Sequence, residues 1–211
     1  MLAIDTFPTE RFGLITGSKC SVMFPERGDG KKGMTTYSKQ LANERFFQFY
    51  DERSSWQTDH GKMGEHFAFE YYQERHNKDI RLGRFLQKGD CGGSTDAECN
   101  QYGLDFKCPT TLSGWLDYLY DGIDKDQFHQ CQMYMYLTGL PEWRICAFLT
   151  ETQFMSDNGL IYPVPHDKRM IEIQVPLDPE WNSKLNDSLP FVVQKREEYI
   201  QILKHQFDGS I

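Results

Sequence analysis

The chain has 211 residues, 26% of them charged and 14% aromatic, and carries a net charge of −8 at pH 7. That length makes one large domain over residues 1–211, with room for a substantial core. The acidic balance excludes a protein whose whole surface coats nucleic acid, although a local basic groove is compatible with it. No run approaches the ~18 apolar residues of a membrane span. Met1-Leu2-Ala3-Ile4 meets Asp5 at once, with no basic n-region and no long apolar stretch, so neither a secretory leader nor a membrane partner is expected. The six cysteines (20, 91, 99, 108, 131 and 146) form no Cys-x-x-Cys pair. Zinc-ribbon and iron–sulfur chemistry are therefore not indicated. Cys91 and Cys99 are close enough in sequence to bridge, but the expected state is reduced and cytoplasmic.

Basic residues collect early, at Arg11, Lys19, Arg27, Lys31 and Lys32, and the last three lie in or beside the Gly-rich loop from Pro25 to Gly33. A helix is predicted from Thr35 or Thr36 to Tyr50, with Tyr37, Leu41, Phe47 and Tyr50 at helical spacing. A second spans about Gly61 to His76, where Met63, Phe67 and Tyr71 form an i, i+4, i+8 stripe suited to core packing. Strands follow near Ile80–Gln87, Gly92–Ala97 and Leu104–Cys108. A helix then begins at Thr110 or Thr111, whose hydroxyl can cap it, with Leu112, Trp115, Leu116 and Leu119 as its apolar stripe. Another helix crosses Gln127–Leu137 and stops at Gly139 and Pro141. Strands near Arg144–Leu149 and Met170–Val175 precede a C-terminal helix that opens at Asp178-Pro179, can break at Pro190 and continues through Ile200 and Leu203. This order predicts an α/β fold with a mixed central sheet flanked by helices.

The chemistry concentrates between Gly92 and Pro109. Asp105 and Lys107 are two apart, so on a strand they share a face. If Asp96 ends the neighbouring strand, its carboxylate meets that of Asp105 across the pair. Two converging carboxylates make a hard oxygen site suited to Mg²⁺ or Mn²⁺. An ammonium beside such an ion can orient water or neutralise charge on a phosphate. An isolated acid-x-Lys triplet equally fits the solvated face of a strand. Here it sits in a short apolar run closed by Cys108-Pro109, behind a Gly-Gly break that carries a second acid. The reading is a metal-dependent phosphodiesterase site.

Five motifs in order then resemble the lambda-exonuclease-like, YqaJ-like viral recombinase family of the restriction-endonuclease-like superfamily. They are Arg11-Phe12-Gly13-Leu14-Ile15-Thr16-Gly17-Ser18, Gly61-Lys62-Met63-Gly64-Glu65, Ser94-Thr95-Asp96, Gly103-Leu104-Asp105-Phe106-Lys107-Cys108-Pro109 and Gln130-Cys131-Gln132. The resemblance implies a restriction-endonuclease-like fold and a division of roles. Asp96, Asp105 and the Phe106 carbonyl would hold the metal, Lys107 would position the attacking water, and Glu65 would enter the outer metal shell or bind a second ion. Gln130 would orient the water or the scissile phosphate, and Arg11, Ser18 and Ser94 would grip a 5′-terminal phosphate. Apart from the family pattern, Glu65 reads as a surface helix residue, Gln130 as a polar neighbour of the apolar Phe128, Cys131 and Met135, and Arg11 as an ordinary surface cation. The resemblance further implies a Mg²⁺-dependent 5′→3′ exodeoxyribonuclease acting on double-stranded DNA ends and leaving 3′ single strands. It would be encoded by a phage or prophage, form a ring-shaped homotrimer and work beside a single-strand annealing protein in recombination. An endonuclease or monomeric nuclease of the same fold, or a silent DNA-end-binding protein, are the alternatives. The chain departs from the family pattern at Asp105, where Glu is commoner, and at Thr95 and Ala97, which replace Pro and Gly.

Overall fold

The computed structural model describes residues 11–50, 55–150 and 162–207; the N-terminal segment read for a leader lies outside them. Five strands form a mixed sheet in the order β2-β5-β6-β7-β8: β2 is Arg81–Leu82, β5 Ala97–Glu98, β6 Gly103–Lys107, β7 Glu142–Phe148 and β8 Met170–Pro176. Only β6 and β7 run parallel, with Asp105 opposite Ile145; their connection crosses over through two helices. A second, three-stranded sheet was not foreseen. It pairs β1 (Ile15–Thr16) in parallel with β4 (Cys91–Ser94), which also pairs antiparallel with β3 (Phe85–Lys88). Cys91–Ser94 is thus separated from Ala97–Glu98, and the single strand predicted over Gly92–Ala97 divides between two sheets.

The strand alternation sends odd and even residues of β6 to opposite helices. Leu104 and Phe106 pack with Ala68, Tyr71 and Tyr72 of α2 (Trp56–Arg75), in a cluster that also holds Cys146 and Phe148 of β7. On the other face Trp143, Ile145 and Val175 meet Cys131, Tyr134 and Met135 of α4 (Lys125–Thr138). Trp115 of α3 (Leu112–Tyr120) covers Ala147 and Leu149. Gly103 opens β6 because the Trp143 ring lies where a Cβ would stand. A third cluster joins α1 (Lys31–Phe47), a 3₁₀ helix over Gly17–Met23, and α5 (Trp181–Phe207) around Ile15, Leu41, Met133 and Leu185.

Three expectations about helices change. In α2 the buried face is His60, Gly64, Ala68, Tyr71 and Tyr72, so Tyr71 of the predicted stripe is buried as expected while Met63 and Phe67 are 47% and 36% exposed. In α3 Leu119 is exposed, so its stripe ends a turn early. The third is Pro190, through which α5 runs without a break. Leu185, Leu189 and Val192 flank the proline in one apolar cluster, and their packing offsets the lost backbone bond. All six cysteines are free thiols.

The joint between α4 and α5 predicts a pH response. Trp181 Nε1 donates to His129 Nδ1 at 2.9 Å, and Phe24 stacks on both rings, at 4.3 Å from the imidazole and 4.9 Å from the indole. Burial first, and the Lys125 charge second, hold the His129 imidazole down to about 4. The unfolded chain takes up this proton near 6.5, whereas the folded chain does so only near 4, so folding stability is intact above that window and declines as pH falls through it. The decline for one such proton is at most about 1.4 kcal/mol per pH unit. Urea midpoints measured from pH 7.5 to 4 should fall more steeply in the unmutated protein than in His129→Gln, and identical slopes would refute the assignment.

Candidate active site

Asp96 follows β4 in a turn that the β2–β3 connection stitches in place. Gly83 N donates to Asp96 O at 2.8 Å, and Thr95 N to Arg84 O at 3.2 Å. Arg84 N in turn donates to the Thr95 hydroxyl at 3.2 Å. A proline at position 95 would supply neither the N–H nor the hydroxyl, which accounts for threonine here. The turn aims the Asp96 carboxylate across the sheet edge, where Oδ2 accepts from Phe106 N at 2.7 Å. Since β5 pairs with β6 only through Gly103 and Leu104, the Phe106 peptide lies beyond the ladder, on the edge facing Asp96. By strand geometry its carbonyl leaves on that same edge.

Asp105 and Lys107 share the α4 face of β6, with Lys107 Nζ 2.8 Å from Asp105 Oδ2. Asp105 is 1% exposed, and among the described residues the Lys107 ammonium is the one partner of its buried Oδ2. Lys107 Nζ also donates to Gln130 Oε1 at 3.3 Å, and Gln130 Nε2 donates to the Tyr134 hydroxyl at 2.9 Å. Tyr134 was missed in the sequence; its only signal is that it lies four residues after Gln130, one helical turn along α4. The second glutamine of the Gln-x-Gln pair does something else. Gln132 bonds Pro176 O and Asp178 N, both at 2.9 Å, and ties α4 to the start of α5.

Glu65 reaches the same end of β6 from α2. Gly64 makes this approach possible, because a Cβ there would stand 2.6 Å from Cys108 Cβ, whereas nothing lies within 4 Å of a Cβ at Gly61. The close contact is therefore one residue before Glu65, and the motif's first glycine is not needed for space. Burial raises the Glu65 carboxyl to about 7, helped by the Asp105 charge and opposed by Lys107 and Lys62. Asp96 is pushed well above the usual carboxylate range by burial and then by Asp105 and Glu65. For Lys107 burial works against the charge, but Asp105 and Asp96 more than compensate and hold it firmly as an ammonium. It can donate and attract but not act as a base.

The β1–β4 register sets Thr16 beside Gly92, so Ser18 and Ser94 project from adjoining backbone segments, both exposed. Thr16 N donates to the buried Tyr37 hydroxyl at 3.1 Å, and Ser18 Oγ lies 3.4 Å from Thr16 Oγ1. Arg11 lies by Glu44 of α1, whose carboxyl is raised by burial, an effect that Gln40, the Gly13 amide and the Arg11 and Lys19 charges oppose. Behind this loop Arg196, 2% exposed, donates to Gly13 O at 2.9 Å and to Asp90 Oδ1 at 2.7 Å.

Among the described residues, no three His, Cys, Asp or Glu side chains already close around one point as a metal cage. The donors present still suit a hard cation: two carboxylates that repel one another, one with a buried oxygen that only Lys107 faces among the described residues, and a peptide edge free of the ladder. A cation between them would relieve the repulsion that raises Asp96 and Glu65.

A model of the YqaJ-like viral recombinase domain matches residues 7–141. The fold is similar to the crystal structure of an alkaline exonuclease, LHK-Exo, from Laribacter hongkongensis, with TM-score 0.73 and 15% identity over 96% of this chain and 97% of that one. The LHK-Exo complex with dAMP gives TM-score 0.72 and 16% identity over the same shares. A phage-related exonuclease from Haemophilus somnus 129PT gives 0.71 and 17% over 94% and 99%. No curated protein matches in sequence. No helix of the described residues is long and apolar enough to cross a membrane.

Proposed function

The chain belongs to the YqaJ-like viral recombinase family, and from that premise we propose that it is a metal-dependent deoxyribonuclease, a 5′→3′ exonuclease that resects double-stranded DNA ends. The observation that carries this reading is the buried Asp105 carboxylate, with the Lys107 ammonium 2.8 Å from its Oδ2, at the end of a strand edge shared with Asp96. Asp96, Asp105 and the Phe106 carbonyl would hold Mg²⁺ or Mn²⁺, with Glu65 in the outer shell. When bound, the ion lowers the pKa of water and neutralises phosphate charge. Lys107 sets a fixed positive point charge beside the reacting phosphate, and Gln130 orients the attacking water through its amide. Water oxygen bonds to phosphorus as the P–O3′ bond breaks, which releases a 5′-mononucleotide and leaves a new 5′-phosphate on the shortened strand. The same reading extends to a homotrimer around DNA and to an annealing protein that receives the 3′ single strand. The net charge of −8 suits an enzyme that keeps positive potential for its channel.

End-labelled duplex tests the reading directly. Label at the 5′ end should leave as mononucleotide in Mg²⁺, nothing should be released in chelator, and closed circular DNA should stay intact. Nicking of the circle would favour the endonuclease alternative. The terminal-phosphate pocket makes a separate prediction. A charge-assisted hydrogen bond contributes roughly 1.5–3 kcal/mol, or about 10- to 100-fold in rate. The first nucleotide should therefore leave a duplex with a 5′-phosphate at least tenfold faster than one with a 5′-hydroxyl, and Arg11→Ala should remove most of that difference. Equal rates on both ends in the unmutated protein would reject the pocket.

A further inference from the structure

We propose that Tyr134 couples the seating of the terminal phosphate to the orientation of the Gln130 amide, so that the correct end raises the rate of chemistry as well as the affinity. The inference rests on the phosphate pocket proposed above. Tyr134 is almost completely buried, and two glycines leave room for its ring. A Cβ at Gly17 would stand 3.2 Å from Tyr134 Cε1, and one at Gly93 only 3.0 Å from the same atom. Gly17 precedes Ser18 and Gly93 precedes Ser94, on segments that the β1–β4 register sets side by side. Cε1 is also the ring carbon next to the one that bears the hydroxyl. The two backbones that present the serines thus bear on the edge of the ring whose hydroxyl accepts from Gln130 Nε2 at 2.9 Å.

The Lys107 ammonium, a donor only, sets which way the amide faces, and the Tyr134 hydroxyl fixes the position of its other end. With Nε2 turned to Tyr134, Oε1 turns to Lys107 and accepts from its ammonium at 3.3 Å. A reversed amide would set its own N–H groups against that ammonium, a donor facing a donor. Interiors are packed too closely for the two glycine segments to shift without moving the ring. A phosphate drawn between Ser18 and Ser94 therefore acts on Gln130 through Tyr134. Tyr134 is a positioning residue, since its hydroxyl acts on the reacting groups through the Gln130 amide.

The test is release of the first nucleotide from duplexes ending in 5′-phosphate or 5′-hydroxyl, since every later end carries a 5′-phosphate, reading kcat and KM of that step separately, with melting temperatures measured alongside. In the unmutated protein the phosphate should raise kcat about tenfold or more as well as lower KM. Tyr134→Phe keeps the ring but loses the acceptor. Its kcat ratio between the two ends should fall to near one, while its KM ratio stays as in the unmutated protein. Gly93→Ala keeps the hydroxyl and presses on the ring, and should also lower the kcat ratio, which preserves the test if Tyr134→Phe folds poorly. A Tyr134→Phe protein that is slowed by the same factor on both ends overturns the coupling and leaves the pocket standing. An unmutated protein with no preference between ends overturns the pocket, and the coupling with it.

Discussion

Asp105→Ala and Asp96→Ala should each abolish digestion of linear duplex in Mg²⁺, an effect larger than that of any other single change at this site. Each removes a carboxylate from an already small donor set, and no described His, Cys, Asp or Glu cluster stands in reserve. Activity is one readout; folding gives an independent one. Burial and the neighbouring acids hold Asp96 above its unfolded value, so its charge costs stability at neutral pH, and the cost lessens as pH falls. Asp96→Asn keeps an oxygen for the Phe106 amide and discards the charge. In chelator at pH 7 it should melt no lower than the unmutated protein, and higher if repulsion dominates. Added Mg²⁺ or Mn²⁺ should raise the melting temperature of the unmutated protein and leave both alanine variants unmoved, because only a state that binds the ion is stabilised by it. Full activity in either alanine variant would remove the proposed site.

This contrast between a destabilised site and a well-packed frame explains what could be read in advance. Asp105 and Lys107 converge because a strand repeats every two residues, a property visible in the spacing alone. The approach of Asp96 to Phe106 followed from expecting a neighbouring strand, although the turn that delivers it depends on Gly83 and Arg84, more than ten residues upstream. Long-range partners of this kind leave no periodic trace. The same applies to the three-stranded sheet, whose β1 and β4 are too short to show alternation. Helix existence was legible from apolar spacing, but the buried face of α2 was not. Large residues drew attention to Met63 and Phe67, whereas close approach to β6 selects the small residues Gly64 and Ala68. Pro190 misled for a related reason: the rule describes an isolated helix, and α5 is held by packing on both sides of the proline. Tyr134 escaped notice because a tyrosine amid apolar residues of a core helix reads as packing. Its hydrogen bond to Gln130 and its packing against Gly17 and Gly93 link it to the site, and neither shows in the sequence.

Lys107→Ala should fold and bind DNA ends while the single-turnover rate falls by at least ~10², the scale of losing one positioned transition-state charge. Lys107 is the one cation in direct contact with Asp105 in the described site, at 2.8 Å, and is held as an ammonium despite its burial. Its removal also leaves Asp105, Asp96 and Glu65 without the charge that moderates their repulsion. The variant should therefore depend more steeply on Mg²⁺ concentration than the unmutated protein, in addition to its slower chemistry. Lys107→Arg should not restore the rate. A guanidinium is planar and bulkier than an ammonium, and in the space between Asp105 and Gln130 it would displace the amide that Lys107 contacts at 3.3 Å. Saturating Mg²⁺ separates the two contributions: the dependence on the ion is satisfied there, and what remains of the ~10² deficit belongs to the missing charge at the phosphate. A deficit that vanished in saturating Mg²⁺ would show that Lys107 serves only to hold the acids together, and a variant whose activity and melting temperature fell in proportion would reduce it to a structural counter-ion.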